Sequence, residues 1–177
     1  MRRSVMGAWL VLVMVTLAAW PQNARAQGKF ETITPKTYDR LLPRDAYLEG
    51  NAIPTELRNT AMLKTPSAPR VLFSLIDTAG YSSQIKQKYI GMVITEGRIS
   101  VCGTAVDVGS YGFGLDKPAP PSTADAKFRL YNQAGTEVAS CAAPHDASIK
   151  MPRPLQVTVS KEGSAWLVLG RYKVEIK

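Results

Sequence analysis

The residues with the clearest chemical potential lie in one short segment between Cys141 and Met151. Cys141 offers a thiolate, His145 an imidazole and Met151 a thioether, and these groups bind copper or zinc. His145 is the only histidine of the chain. The segment follows a predicted strand, so the three groups lie in one loop of a β-rich domain, where they could bind a metal ion together.

This segment resembles the carboxy-terminal ligand loop of small blue-copper proteins, in which thiolate, imidazole and thioether ligands converge on one copper ion. The resemblance implies Cys141, His145 and Met151 as ligands. A blue-copper site also needs a second imidazole, which this chain lacks. Cys102 could take that place only as a free thiolate.

A disulfide between Cys102 and Cys141 is the competing prediction, because oxidation is favoured in an exported protein. The bond would close a loop of nearly forty residues, for which chain entropy predicts about 4 kcal/mol of stabilisation. The residue alternation around Cys102 leaves open whether the two sulfurs can meet. We predict the disulfide, no metal and no cofactor, with Pro144 and Asp146 making a plain turn.

Two other patterns bear on catalysis and nucleotide binding. His145 and Asp146 could supply a general base, but neighbours in sequence seldom face each other, and no G-x-S-x-G nucleophile motif is present. The glycines of the segment 109–114 lack the lysine and the spacing of phosphate-binding loops, which favours close packing within a strand. These patterns favour a non-catalytic protein, and whether the chain is an enzyme stays open at this point.

Aromatic side chains could form a binding platform, because their faces bury much area. Tyr81 lies in a Gly-Tyr-Ser-Ser loop and is the candidate for a surface binding residue. Trp166 begins an apolar run and is expected to be buried in the core.

The first 26 residues have the composition of a secretory signal peptide, with two early arginines, an apolar run from Gly7 to Trp20 and the cleavage sequence Ala24-Arg25-Ala26. The apolar run has about fourteen residues, fewer than the roughly twenty that span a bilayer. We expect cleavage near Ala26, a periplasmic or extracellular location, and no membrane span in the mature chain.

The charge of the chain gives little sign of a polyanion partner. Three of the 22 basic residues and none of the 14 acidic ones lie in the signal segment, so the mature chain keeps a net charge of +5. Its basic residues are dispersed, and aromatic residues do not alternate with them as in a single-strand nucleic-acid groove. We expect no nucleic-acid binding, and the sequence leaves the oligomeric state open.

The mature chain divides into an arm and a β domain. Residues 27–70 contain five prolines and are expected to form an irregular arm packed on the core, with one short helix at Thr55–Met62 capped by Thr55. From residue 71 to 177, short β-branched runs alternate with turns that contain glycine. This pattern predicts an all-β fold, an antiparallel β-sandwich built as a meander of short hairpins.

Ten strands are predicted in that domain, and two of them alternate apolar and polar residues strictly, as expected when one face is buried. The predicted strands are Val71–Ile76, Lys88–Thr95, Arg98–Cys102, Ala105–Val108, Ser110–Leu115, Lys127–Tyr131, Glu137–Cys141, Leu155–Ser160, Ala165–Leu169 and Tyr172–Ile176.

Four segments carry a resemblance to a group of small exported bacterial proteins of uncharacterised function. They are residues 46–59, 87–97, 108–115 and 153–157. The resemblance implies a secreted β-rich domain and assigns no functional residue.

These observations favour a non-catalytic exported protein that binds an envelope component or a partner protein through its surface. Two alternatives remain at this stage. One is a periplasmic copper or zinc protein, or an envelope enzyme, that uses Cys141 and His145. The other is a basic lectin-like module for anionic envelope sugars, whose binding would be sensitive to salt.

The export hypothesis predicts the mass of the purified, exported protein. The mass should correspond to a chain that starts at Gln27 and lacks two hydrogens, and alkylation without reduction should add nothing, because both thiols are oxidised. Mass spectrometry of non-reduced protein measures all of this. A chain that retains residues 1–26 would contradict the predicted cleavage.

Overall fold

The computed structural model describes residues 28–33, 38, 40–67 and 69–177. In these ranges the chain forms two antiparallel sheets and one short helix, which confirms the predicted all-β fold. The predicted signal segment, residues 1–26, lies outside the described residues.

The strands are β1 (Glu31–Ile33), β2 (Asp45–Leu48), β3 (Asn51–Lys64), β4 (Arg70–Ile76), β5 (Gly91–Thr95), β6 (Ile99–Val101), β7 (Thr104–Val106), β8 (Gly109–Asp116), β9 (Ala126–Tyr131), β10 (Glu137–Ala143), β11 (Arg153–Val159), β12 (Ala165–Gly170) and β13 (Tyr172–Ile176). Helix α1 (Ser83–Lys88) lies between β4 and β5.

Most strands pair with their neighbours in the chain, as expected for a meander. The larger sheet has the order β1-β3-β4-β5-β8-β9-β10, with β2 paired to β3, and the smaller sheet has the order β11-β12-β13-β6-β7. The β6–β7 hairpin therefore leaves the larger sheet between β5 and β8 and joins the smaller one.

The inner faces of both sheets share one apolar core. Phe73, Phe113 and Phe128 enter it from the larger sheet, and Leu167 and Leu169 enter it from the smaller one. On the outer face of the larger sheet, α1 and the β2–β3 hairpin cover a second cluster around Tyr89. The alternation of side chains along each strand assigns residues to one face or the other.

The helix predicted at Thr55–Met62 is wrong, because these residues lie within the long strand β3. Leu63 packs into the main core, whereas Met62 packs under Tyr38 on the opposite face. Residues 55–60 are exposed or half-buried where the pairing of β3 with β4 shifts register, and 61–63 are buried in succession, so the segment shows no alternation that marks a strand. The Thr55 hydroxyl donates to the carbonyls of Pro43 and Arg44 instead of capping a helix.

The arm at 27–70 was expected to be irregular, but it contributes β1, β2 and β3 to the larger sheet. Pro43, Pro66 and Pro69 lie between strands, and Pro54 lies opposite Asp45 in the short β2–β3 pairing. Proline is tolerated at such edges and connections. Most of these prolines therefore mark where strands begin and end, and they do not make the segment irregular.

The strand predicted at Lys88–Thr95 begins only at Gly91, because Lys88 is the last residue of α1 and Tyr89 is its C-cap. Ser82 caps this helix by accepting a hydrogen bond from the backbone N–H of Ile85. Helix α1 has six residues, and the described part of the chain contains no helix with the length and apolarity of a membrane span.

Cys102 and Cys141 form the predicted disulfide, with their Cα atoms 5.4 Å apart. Cys102 lies in the turn between β6 and β7 with a positive φ of 56°, and Cys141 lies in β10. The bond joins the smaller sheet to the edge strand of the larger one. It therefore fixes the relative position of the two sheets at this corner of the sandwich.

Removal of this bond should destabilise the protein by about 2–4 kcal/mol, because the unfolded chain gains the freedom of a long loop. The double variant Cys102→Ser with Cys141→Ser should show this loss in urea denaturation. A reductant should lower the midpoint of the parent protein and leave that of the variant unchanged. Equal midpoints for both proteins under oxidising conditions would contradict the prediction.

Candidate functional site

The structure does not assemble the metal site suggested by Cys141, His145 and Met151. The sulfur of Cys141 is bonded to Cys102 and supplies no thiolate. The ring of His145 packs edge-on against Tyr172, with the centroids 5.4 Å apart, and Met151 is 86% exposed. Within the described residues, no group of three or more His, Cys, Asp or Glu side chains is placed to hold a metal ion.

Asp146 serves the turn and not the adjacent histidine. Its carboxylate pairs with Lys173 and accepts hydrogen bonds from the hydroxyl and the backbone N–H of Ser148. Lys173 and then Ser148 lower the pKa of Asp146 to about 2. The backbone N–H of His145 donates to Asp125. Residues 144–146 run alongside β13, where His145 pairs with Tyr172, and the polar contacts of Asp146 fasten a turn at 146–149. The turn predicted at Pro144 and Asp146 therefore starts only at Asp146.

The two aromatic residues singled out in the sequence, Tyr81 and Trp166, are both half-buried. Tyr81 is half-buried, and its hydroxyl donates to the carbonyl of Ala52, so it offers less free surface than expected. The burial predicted for Trp166 is wrong, since it is only half-buried. The period of two places Leu167 in the core and Trp166 on the outer face of the smaller sheet.

The glycine-rich strand β8 is close-packed. A Cβ atom on Gly112 would lie 2.6 Å from the Tyr89 ring, and one on Gly114 would lie 2.2 Å from the carbonyl oxygen of Lys88. Both distances are too short for a side chain. The lack of side chains at Gly112 and Gly114 thus allows the end of α1 and Tyr89 to pack closely on β8. This agrees with the prediction that these glycines serve close packing.

A polar cluster that the sequence did not reveal joins three loops at one end of the larger sheet. We define the Lys88 cluster as Glu49, Lys88, Tyr89, Tyr131 and Gly135. Glu49 accepts hydrogen bonds from the Lys88 ammonium and, at 2.7 Å, from the Tyr89 hydroxyl. The ammonium also donates to the Gly135 carbonyl at 2.7 Å and lies 4.8 Å from the centre of the Tyr131 ring.

The electrostatics of the Lys88 cluster favour the charged pair. Hydrogen bonds from Lys88 and Tyr89 lower the pKa of Glu49. Burial, and then the hydrogen bond with Glu49, raises the pKa of Tyr89. The side chains of Lys88 and Glu49 are only 21% and 23% exposed. Because their polar groups already contact one another, the cluster fastens the loops and leaves little capacity for a ligand.

The candidate binding site is a groove of about 390 Å³ between β3 and β11, which we call the arginine groove. Its lining residues include arginines, amides and hydroxyls but no aspartate or glutamate. They are Thr32, Ile33, Tyr38, Arg58, Asn59, Thr60, Ala61, Arg153, Pro154, Leu155, Gln156 and Val157.

Irregular strand pairing surrounds both arginines of the groove. The register of β3 with β4 shifts between Thr55 and Thr60, and that of β11 with β12 shifts between Arg153 and Gln156. Such irregularities bend a strand and redirect its side chains. Arg58 lies within the first shift and Arg153 lies at the start of the second. Both arginines are exposed.

Arg58, Arg153 and Gln156 supply side-chain donors to the groove. The Tyr38 hydroxyl donates to Ile33, the Asn59 amide donates to Glu56, and the Thr60 hydroxyl is bonded within the sheet. Among the described residues, no carboxylate lies within ion-pairing distance of Arg58 or Arg153. Arg58 and Arg153 therefore have no ion-pair partner in the described part of the chain, and the carboxylate of Glu56 beside the groove is bonded to Asn59.

The comparisons with known proteins return no match. No protein-family model matches the chain, and neither the curated proteins nor the solved structures include a significant relative. The candidate site therefore stands on its geometry.

The Lys88 cluster makes a prediction about stability and pH. Glu49→Gln should reduce the free energy of unfolding at pH 7 by about 1–2 kcal/mol, because it weakens hydrogen bonds to a charged group. Since the folded state lowers the pKa of Glu49, its stabilising effect is present above the carboxyl's ordinary pKa and is lost as the pH falls through the folded-state value. The difference between parent and variant should therefore shrink in acid, as urea denaturation at several pH values would show.

Glu31→Gln is the matched control, because Glu31 pairs with Lys64 at 3.8 Å on the open surface. Its effect should stay within about 0.5 kcal/mol. If both variants lose the same stability, or if the loss in Glu49→Gln is independent of pH, the role assigned to the Lys88 cluster is wrong.

Proposed function

We propose that this protein is an exported, non-catalytic binding protein that holds an anionic group of an envelope component in the arginine groove. The observation that carries the proposal is the pair Arg58 and Arg153, which line a groove without any carboxylate. Isolated surface arginines are common, but here two strands bring their arginines into one concave site.

The chemistry of arginine favours carboxylate and phosphate ligands. The guanidinium group is planar, remains charged and can donate two parallel hydrogen bonds to an oxyanion. Gln156 adds an amide that can donate to a neighbouring hydroxyl or carbonyl. A volume of about 390 Å³ also lies within the usual range for small-molecule sites. An acidic or phosphorylated sugar unit fits this combination of charge, polarity and size.

Export to the periplasm or the cell exterior is part of the proposal. The disulfide between Cys102 and Cys141 suits an oxidising compartment. The sequence of residues 1–26 has the three parts of a secretory signal. In such a compartment, acidic and phosphorylated glycans of the envelope would be accessible to an exposed groove.

Calorimetric titration with anionic oligosaccharides tests the function. Uronate oligosaccharides and a phosphorylated oligosaccharide are the probes, and a neutral oligosaccharide of equal length is the comparison. The double variant Arg58→Gln with Arg153→Gln should weaken the binding of the anionic probe by tenfold or more, about the effect of losing a hydrogen bond to a charged group. Binding by the parent protein should also weaken with added salt.

The control variant is Lys86→Gln with Lys127→Gln, which removes the same charge from exposed residues that do not line the groove. It should bind the anionic probe nearly as tightly as the parent. The proposal fails if the two double variants bind equally well, or if none of the anionic probes binds the parent protein.

A further inference from the structure

A second groove lies where two chain segments diverge from the same edge of β13. Ile176 pairs with Val101 of β6, whereas the backbone N–H of Lys173 donates to the carbonyl of Pro144 at 3.1 Å. The chain after β10 thus continues along β13 and joins the smaller sheet. The Cys102–Cys141 bond spans the gap between β6 and β10.

This fork encloses a groove of about 310 Å³, which we call the tryptophan groove. Its lining combines one indole ring with charged groups, a hydroxyl and the disulfide. The residues are Ser100, Cys102, Gly103, Cys141, Ala142, Pro144, Trp166, Lys173, Glu175 and Lys177.

Trp166 lies directly opposite Glu175 in the pairing of β12 with β13. It is half-buried, and it is the only tryptophan between residues 28 and 177. A large aromatic side chain on the outer face of a sheet exposes area that a core position would bury. Beside it lie a carboxylate and two ammonium groups, which can accept and donate hydrogen bonds.

The charges of the tryptophan groove are balanced by ion pairs, unlike those of the arginine groove. Lys177 pairs with Glu175 at 2.9 Å, and Lys173 pairs with Asp146. A ligand with its own net charge would gain little from groups that are already paired. A neutral ligand with many hydroxyl groups can still donate to the carboxylate and accept from the ammonium groups.

We infer that the tryptophan groove is a second binding site, and that its ligand is a neutral saccharide unit. The apolar C–H face of a sugar ring would stack on the Trp166 ring, and its hydroxyls would bond to Glu175, Lys173 and Ser100. A nucleobase could also stack on the indole, but a nucleic acid needs unpaired cations along its backbone. The disulfide and the ion pairs hold the walls of the groove in place before a ligand arrives.

Fluorescence titration tests the inference, because in the exported chain Trp166 is expected to be the sole tryptophan. The probes are neutral tetrasaccharides of glucose, galactose, mannose and N-acetylglucosamine, together with a single-stranded oligonucleotide. At least one tetrasaccharide should change the emission of Trp166. Its affinity should vary less than about twofold between low and physiological salt, because the ligand is uncharged.

Calorimetry with two variants supplies the second readout. Trp166→Leu keeps an apolar side chain and should weaken the binding of that tetrasaccharide by about tenfold, whereas Trp166→Phe retains an aromatic ring and should lose less. Urea denaturation of both variants shows whether each folds as the parent does. Arg58→Gln with Arg153→Gln should leave this binding unchanged, which separates the outcome from that of the arginine groove.

The inference is overturned if none of the four tetrasaccharides binds, or if Trp166→Leu binds a tetrasaccharide as tightly as the parent. It is equally overturned if only the oligonucleotide alters the emission, with binding that weakens in salt. If Trp166→Leu does not fold, Trp166→Phe and Glu175→Gln carry the test, and unchanged binding in both would refute the site.

Discussion

The packing of the two sheets across one apolar core is the constraint on which the other features depend. Phe113 and Phe128 stack with their centroids 5.8 Å apart inside it, and side chains from the smaller sheet close it from the other side. Burial of this apolar area supplies most of the favourable free energy of folding. The facing sides of the sheets form the main core, and α1 with the β2–β3 hairpin covers a second cluster on the outer face of the larger sheet. Polar links and grooves lie at the corners, where the sheets meet or separate.

Two links hold these corners, one polar and one covalent. The Lys88 cluster joins the β2–β3 turn, the end of α1 and the β9–β10 turn through one half-buried ion pair. The disulfide joins β10 to the β6–β7 turn at another corner. The lining of the arginine groove contains no residue of either link. Cys102 and Cys141, in contrast, form part of the wall of the tryptophan groove. Loss of the disulfide would therefore alter the wall of the tryptophan groove more directly than that of the arginine groove.

The two grooves differ in how their charges are used. In the arginine groove, Arg58 and Arg153 have no acidic partner among the described residues, so they are available to an anion. In the tryptophan groove, lysines and carboxylates neutralise each other, so the indole ring and the remaining hydrogen-bonding capacity set the chemistry. A glycan that carries both neutral and acidic units would present a group suited to each groove.

The sequence by itself determined the β class and most strands after residue 70, because period-two alternation is a local signal. It predicted the disulfide from two cysteines in an expected export context, but only the structure showed that the two sulfurs meet. The sequence predicted a helix within β3, since the register shift at residues 55–60 and the successive burial of Met62 and Leu63 on opposite faces remove the alternation. Only the tertiary structure decided that Trp166 faces outward and that Glu49 meets Lys88. It also decided that Arg58 and Arg153 share one groove. These contacts join residues far apart in the chain, and their partners are chosen by strand order and register, which no local pattern encodes.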